Sequence, residues 1–305
     1  MDIKEIRNKF KYYFEKAYNY EEAIKRQNID HNDVVRLRQK LVSFPHVPLL
    51  IHDKILLIFL NGCEGDIEAA AKRIESYYNI KNSSPELFWN RDPESKELQF
   101  SFQIQQMATL PISPDNCVVF IHRTADTDPH KYHYDDVFKM FMMMAEIAIF
   151  TNGPRNGSIF ISDWTGAKFG HLFRASISSI RKGLDFVQNA IPMEIKAVHI
   201  LNSSYLIQVL FSIIRPFMKK ELYDIIHIHP SNLNYEEFFE KHVPRHCMPA
   251  DYGGELQPLK ILHSKNVETL LSYKEYFYLE ELYSKQEFDQ YADELLKDSK
   301  ISFNN

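Results

Sequence analysis

Cysteine, glycine and long apolar runs are all scarce in this chain of 305 residues. Its three cysteines, Cys63, Cys117 and Cys247, are an odd number and form no CxxC pair, so no disulfide framework is indicated. Only 9 residues are glycine, which excludes collagen-like and glycine-linker compositions. Glu146 interrupts the densest apolar run, and no stretch reaches the ~18 apolar residues of a membrane span. The first five residues carry charges where a signal peptide is apolar, so we expect a reduced, soluble protein of the cytoplasm.

Basic residues are also fewer than acidic residues. Lys and Arg total 36 against 41 Asp and Glu, which gives a formal net charge of −5. A protein that binds nucleic acid with its whole surface has the opposite sign. We therefore expect no nucleic-acid partner.

Motifs of the common enzyme classes are missing as well. The sequence contains no GxSxG, GxxxxGK[ST], GxGxxG or HExxH. His227 and His229 lie two apart, as on one face of a strand, and the zinc-ligand types His242, His246 and Cys247 follow. A proline between His242 and His246 breaks the helix that would align them, and no second ligand pair is present. The sequence therefore predicts neither catalysis nor a metal ion nor a cofactor.

Two different patterns divide the chain. Apolar residues at helical spacing predict helices at 3–17, 33–44, 52–60 and 67–78, the last capped by Asp66, and the polar segment 82–97 marks a boundary. From Asn116 onwards, short apolar runs predict buried strands that alternate with longer helical patterns. The strands are 117–121, 158–161, 197–201 and 225–228, and the helices are 134–150, 170–187 and 203–224. This alternation predicts an α/β fold with a mainly parallel sheet and crossover helices, preceded by a small all-helical domain.

The helix predicted at 203–217 is apolar nearly all round, which is typical of a core helix or of one that covers an apolar molecule. The Phe- and Met-rich run at 138–144 is typical of a core or of an adaptable apolar wall. Each pattern by itself leaves both readings open.

Five motifs occur in order between about residues 30 and 260. They are 53–60 with 65–70, Asn156-Gly157 leading to Asp163 and Gly166, 191–202, Arg215-Pro216-Phe217, and Pro249 through Gly254. In this order they resemble the CRAL-TRIO family, in the branch that contains alpha-tocopherol transfer protein, cellular retinaldehyde-binding protein and the clavesins.

The resemblance implies a helical amino-terminal domain at 1–97, a lipid-binding domain at 98–260 with a lid helix, and a helical extension at 261–305. It also implies an intracellular carrier, not an enzyme, that holds one hydrophobic molecule such as a retinoid, tocopherol or carotenoid. The carrier would exchange this ligand during peripheral contact with membranes. Carried over by position, the resemblance assigns the following wall and lid residues: Phe138, Phe141, Ala145, Ser158, Ser162, Phe186, Val187, Ile191, Met193, Val198, Ile207, Leu210, Phe211 and Ile214.

Membrane contact is expected through basic residues at the end of the lid. The positions that match the family's phosphoinositide head-group cluster are Glu194, Lys196, Glu221 and Ile225, of which only Lys196 is basic. Attraction to anionic lipid is therefore expected to be generic. The expected contacts are Lys196, Arg215, Lys219 and Lys220.

A second hypothesis keeps the fold and changes the function. In this hypothesis the protein is a membrane-recruited scaffold that acts through protein partners. It is suggested by the aromatic tail from Tyr273 to Tyr291 and by the acidic residues that stand at the head-group positions. A filled lid region and a partner site on the carboxy-terminal helices would favour it.

Overall fold

A five-stranded β-sheet organises the computed structural model, which describes residues 3–49 and 51–286. The strands are β1 (Gln105–Leu110), β2 (Cys117–Thr124), β3 (Gly157–Asp163), β4 (Ile195–Ser203) and β5 (Ile226–Pro230). They lie side by side in chain order, with β1 antiparallel to β2 and every later pair parallel. The prediction of an α/β fold with a mainly parallel sheet is confirmed.

Helices precede, connect and follow the strands. Those before β1 are α1 (Ile3–Lys16), α2 (Tyr20–Gln27), α3 (His31–Leu41), α4 (Asp53–Gly62), α5 (Ile67–Ser83), α6 (Pro85–Phe88) and α7 (Lys96–Ile104). The crossovers are α8 (Tyr134–Asn152), α9 (Phe169–Phe173), α10 (Ile177–Asn189), α11 (Leu206–Ile214) and α12 (Lys220–Asp224). The last helices described are α13 (Tyr235–Lys241), α14 (Leu259–Ser272) and α15 (Lys274–Ser284).

Strands β2 and β3 are largely buried on both faces because each face of the sheet has its own core. Val118 and Phe120 of β2 point into a cluster shared with α8, α10 and the amino-terminal helices. Val119 and Ile121, one residue out of phase, point into a second cluster with α13 and α14. This alternation explains why β2 and β3 read as continuous apolar runs. The run at 225–228 forms a strand as predicted, but the prediction that it is buried is wrong: β5 is the edge strand and its Ile228 is 48% exposed.

Two predicted helices are interrupted in the structure. The pattern at 170–187 is divided into α9 and α10, and Ser176 caps the second helix by accepting a hydrogen bond from the Ser179 amide at 2.9 Å. The pattern at 203–224 is divided because Pro216 cannot continue an α-helix, and residues Arg215–Phe217 form a 3-10 turn instead. The lid helix is therefore α11 alone, shorter than predicted.

The described part of the carboxy-terminal tail packs against the amino-terminal helices. The Tyr276 and Tyr273 rings of the tail contact the ring of Tyr13 on α1 at centroid distances of 5.6 and 5.4 Å. Phe277 is fully buried in the same cluster as the sheet face. The domain boundaries at 97 and 260 stay a prediction, and Tyr291 and the rest of 287–305 lie outside the described residues.

Among the helices of the described residues, none combines the length and the apolar character needed to span a membrane.

A candidate apolar binding site

One face of the sheet carries an aromatic stack beneath α8. The rings of Phe120 and Phe160 lie 5.1 Å apart on neighbouring strands and are nearly parallel. Phe141 of α8 covers them at 6.0 and 5.4 Å. Val198 of β4 is in register with Phe160 and is half buried. The predicted wall residues Phe141 and Val198 thus belong to one sheet face.

A second group of predicted wall residues packs toward the amino-terminal helices. Phe186 of α10 contacts Phe88 at 4.5 Å and Tyr77 at 5.6 Å. Phe138 of α8 also contacts Phe88, edge to face at 5.7 Å. The structure therefore places the Phe138 and Phe186 rings around Phe88 of α6.

The segment before β4 lies against α4. A Cβ atom at Gly62 would come within 2.7 Å of the Pro192 carbonyl oxygen, so only glycine permits this approach. Ile191 and Met193, which flank Pro192, are buried in the same cluster as Ala145. Val187, at the end of α10, is half buried.

The two predicted pocket serines differ in their partners. Ser158 is fully buried, and its hydroxyl donates to the Glu194 carbonyl oxygen at 3.2 Å. Ser162 is half buried and lies in register with His122 on one side and Ile200 on the other. The Ser158 hydroxyl is therefore bonded to a backbone carbonyl group. Ser162 is the serine of this pair that lies beside another polar side chain, that of His122.

A polar group at the end of this sheet face was not anticipated. Because an amide oxygen only accepts, Nε2 of His122 donates to Oε1 of Gln105 at 2.7 Å, and the Thr124 hydroxyl donates to the same oxygen at 3.1 Å. Gln105 is fully buried, and its Nε2 has no hydrogen-bond partner among the described residues. Burial lowers the pKa of His122 to about 4, so its ring is neutral at pH 7. His122 follows Phe120 by two residues on β2, and alternate residues of a strand point to the same face of the sheet. This spacing in the sequence could have placed His122 on this face.

The lid helix α11 has a buried face and an exposed face. Ile207 and Ile214, which lie two helical turns apart, are 3% and 8% exposed. Leu210 and Phe211 between them are half buried. Ile213 on the other side is 38% exposed. Among the described residues, Ile207 and Ile214 belong to neither of the two core clusters. On the inner face of the lid, Ile207 and Ile214 are therefore shielded from water, while Leu210 and Phe211 keep apolar surface uncovered.

Of the four predicted membrane contacts, two form an ion pair with a carboxylate of the described residues and two do not. Lys220 forms an ion pair with Asp224, and Lys196 forms one with Glu194 at 2.5 Å. Arg215 lies over the Tyr223 ring at 4.4 Å and donates to the Met218 carbonyl oxygen at 3.2 Å.

Lys219 donates to the amide oxygen of Asn189. Within the part of the chain that the structure describes, no carboxylate lies within ion-pair distance of Arg215 or Lys219. These two carry the uncompensated positive charge at the end of the lid.

Comparison with known proteins finds two family models that match the chain. The CRAL/TRIO domain matches residues 113–254, and the Pinta-like, UBA domain matches residues 26–98. Alpha-tocopherol transfer protein-like from Mus musculus is 27% identical over 225 residues, which cover 73% of this chain and 64% of that protein. Clavesin-2 from Homo sapiens is 23% identical over 235 residues, which cover 75% of this chain and 70% of that protein. The alignment thus spans less than two thirds of the first of these relatives.

A solved structure shares the fold. The crystal structure of Sfh5 superposes with a TM-score of 0.51 at 10% identity, covering 83% of this chain and 98% of that chain.

Proposed function

Residues 113–254 form a CRAL/TRIO domain, as the resemblance to the CRAL-TRIO family predicts, and from this premise we propose that the protein carries one hydrophobic small molecule. The ligand lies between the Phe120 and Phe160 face of the sheet and the inner face of α11. The observation that carries the proposal is the apolar surface left half buried on the sheet face, at Phe141, Phe160 and Val198, and on the lid, at Leu210 and Phe211. Apolar surface that the protein itself does not cover on these elements suits a removable apolar molecule held between them.

Apolar burial alone supplies enough binding free energy for such a ligand. Burying about 400 Å² of apolar surface at about 25 cal/mol per Å² contributes on the order of 10 kcal/mol before the cost of association. A retinoid, tocopherol, carotenoid or similar lipid therefore needs little polar recognition.

The polar group around Gln105 gives the ligand an orientation. A ligand carbonyl or hydroxyl oxygen that accepts from Gln105 Nε2 would satisfy a buried donor that has no partner among the described residues. The favoured ligand is thus a long apolar molecule with one oxygen at its end. Retinoids, tocopherols and oxygenated carotenoids fit this description, whereas hydrocarbon carotenoids do not.

Exchange takes place at membranes. A ligand under an apolar lid has no favourable path into water, so α11 opens where its exposed apolar residues enter the bilayer interface. Ile213 and Tyr205, which is 69% exposed, supply that outer face. Arg215 and Lys219 bring it to anionic lipid without recognition of one particular phosphoinositide.

The scaffold alternative receives less support. Its proposed partner surface was the aromatic tail, but Tyr276 and Phe277 are 3% and 0% exposed within this chain's own core. Tyr291 lies outside the described residues. Tyr276 and Phe277 thus serve the fold, and the large exposed aromatic side chain of the described tail is Tyr278, at 54%.

Native mass spectrometry of the purified protein tests the carrier function. We expect one bound small molecule per chain that organic extraction releases. Ile207→Asp removes it, because an unpaired charge facing the ligand costs several kcal/mol.

Ile213→Asp is the matched control, since the same substitution on the exposed face of α11 keeps the ligand. Circular dichroism of both variants separates ligand loss from unfolding. An empty protein that binds no retinoid, tocopherol, carotenoid or sterol below ~10 μM contradicts the proposal.

A further inference from the structure

Four histidines gather on the face of the sheet opposite to the lid. His199 of β4 is in register with His227 of β5, and His229 lies two residues further on the same strand. Side chains at these positions share one face of a parallel pair. His242, at the carboxyl end of α13, approaches the same face because α13 packs there through Phe238. The neighbours of His199 along the strand, Val198 and Ile200, point to the lid side.

Three of these histidines present their ring nitrogens to a common point. Each of His199, His229 and His242 offers a ligand atom, and these atoms all lie within 4.8 Å of one another. Nδ1 of His199 and Nε2 of His229 are 3.0 Å apart. The His242 ring centroid lies 4.5 Å from that of His199 and 5.6 Å from that of His229. The fourth ring, His227, is 5.0 Å from His199 and more exposed.

The surroundings favour the neutral form of these rings over the charged form. Burial, followed by the neighbouring imidazoles of His242 and His229, lowers the pKa of His199 to about 3. Burial also lowers the pKa of His229 and of His242. Phe238 closes one side, with its ring 5.2 to 5.4 Å from all three imidazoles. Neutral imidazoles against an apolar wall are the state in which histidine ligates a metal.

We propose that His199, His229 and His242 bind one divalent transition-metal ion, Zn²⁺, with His227 or a water molecule as the fourth ligand. Imidazole nitrogen suits this class of ion, and three protein ligands with one open position is a common zinc arrangement. Tetrahedral Zn–N bonds of about 2.0–2.1 Å place ligand nitrogens about 3.3 Å apart. The 3.0 Å pair is close to this spacing, and the His242 nitrogen, within 4.8 Å of the other two, would have to move closer on binding the ion. Metal ligation then replaces the hydrogen bond between His199 and His229.

The ion would join three elements that are separate in sequence. His199 lies on β4, His229 on the edge strand β5, and His242 at the end of α13. Binding of the ion would therefore stabilise the edge strand β5 and the connection through α13. It acts on the face opposite to the apolar site, so metal binding and ligand binding are separable.

Calorimetric titration of the full chain, stripped with EDTA and then titrated with Zn²⁺, tests the site. We expect one ion per chain with a Kd below ~1 μM. His242→Ala should weaken binding at least ~100-fold, because it removes a direct ligand. Zn²⁺ should raise the Tm of the wild-type chain and leave that of His242→Ala unchanged.

His246→Ala is the matched control, since His246 is exposed, lies four residues further on and is outside the group of three. Co²⁺ should give the visible absorption of a tetrahedral site in the wild-type chain and in His246→Ala. If His242→Ala fails to fold by circular dichroism, His229→Ala takes its place. Zn²⁺ binding weaker than ~100 μM, or equal binding by the wild-type chain and the ligand variant, overturns the proposal.

Discussion

At the scale of single residues, Asp163 joins three segments at the carboxyl ends of the strands. One carboxylate oxygen accepts from the Thr165 amide at 2.9 Å and from the Asn202 side chain at 2.8 Å. The other accepts from the Tyr252 hydroxyl at 2.9 Å. Three of the motifs that carry the family resemblance therefore meet at one carboxylate. Their role is to hold the ends of β3 and β4, from which the lid begins.

His52 makes the stability of the fold sensitive to acid. Its ring stacks on Phe14 at 3.9 Å, and its Nδ1 accepts from the Lys54 amide at 3.1 Å as the cap of α4. Burial lowers its pKa to about 4. Between pH 6.5 and 4 the unfolded chain binds a proton that the folded ring does not, so stability falls as the pH falls through this range.

His52→Asn keeps a cap acceptor and removes the titrating group. Between pH 6.5 and 4 we expect its free energy of unfolding to drop by about 3 kcal/mol less than that of the wild-type chain. Urea unfolding at a series of pH values measures the difference. Parallel pH profiles for the two proteins would show that His52 does not titrate as described.

Sequence predicts residue roles where the partner is local. Asp66 was predictable as a helix cap because it bonds an amide three residues away, and Asp66 accepts from Ala69 at 3.0 Å. His199 was not predictable as part of a cluster, because its neighbours come from another strand and from α13. The register between β4 and β5 is a tertiary property that spacing in one sequence does not specify.

At the scale of secondary-structure elements, the parallel strands and the antiparallel strand differ in how clearly the sequence marks them. β2 and β3 contain apolar runs because both of their faces meet cores, whereas the apolar residues of the edge strand β5 lie outside both cores and Ile228 is 48% exposed. β1 was not predicted, since it begins with two glutamines, Gln105 and Gln106. These are accommodated by partners on β2: His122 and Thr124 bond Gln105, and Arg123 donates to Gln106 at 2.8 Å.

Helix α15 is held in the core by a buried ion network. Glu280 of α15 pairs with Lys81 of α5 at 2.6 Å and with Arg91. Arg91 also pairs with Glu146 of α8 at 2.7 Å. Burial alone would raise the pKa of Glu146, but Arg91 and Lys81 outweigh it and lower that pKa. The charge that interrupts the apolar run of α8 is thus matched across three helices.

Glu280→Gln should destabilise the protein by about 3–5 kcal/mol, because it leaves two buried cations with one carboxylate. Urea unfolding at neutral pH measures this cost. Glu275→Gln is the matched control on the same helix. Glu275 pairs with Lys9 near the surface, so its loss should cost no more than about 1 kcal/mol. Equal effects of the two substitutions would contradict the role assigned to the network.

At the scale of the whole molecule, the amino-terminal helices, the sheet face and the carboxy-terminal helix share one core cluster. The sequence indicated the helical and α/β parts because their periodicities differ. It did not indicate this shared packing, because the buried Arg91 and Phe88 lie in the polar segment predicted as a boundary. Long-range burial depends on partners such as Glu280, 189 residues further along the chain than Arg91.

The charge of the whole molecule sets how it meets a membrane. The chain is negative overall, with a formal net charge of −5, so approach to an anionic bilayer depends on a local positive region. Arg215 and Lys219 at the end of the lid provide it, while Lys220 is offset by Asp224. Lys265 lies on α14, which packs on β1 at the opposite edge of the sheet from β5. It therefore offers the same charge far from the lid.

Lys219→Ala should slow ligand transfer from vesicles containing phosphatidylserine about fivefold, since each basic residue near the surface contributes about 1 kcal/mol. Lys265→Ala changes the net charge equally and should leave the rate unchanged. Binding of the ligand in solution should be the same in both variants. The difference in transfer should shrink as salt is raised, because screening shortens the reach of the lipid charge. Equal slowing by the two variants would assign the attraction to net charge, and transfer that requires one phosphoinositide would assign it to a specific head-group site instead.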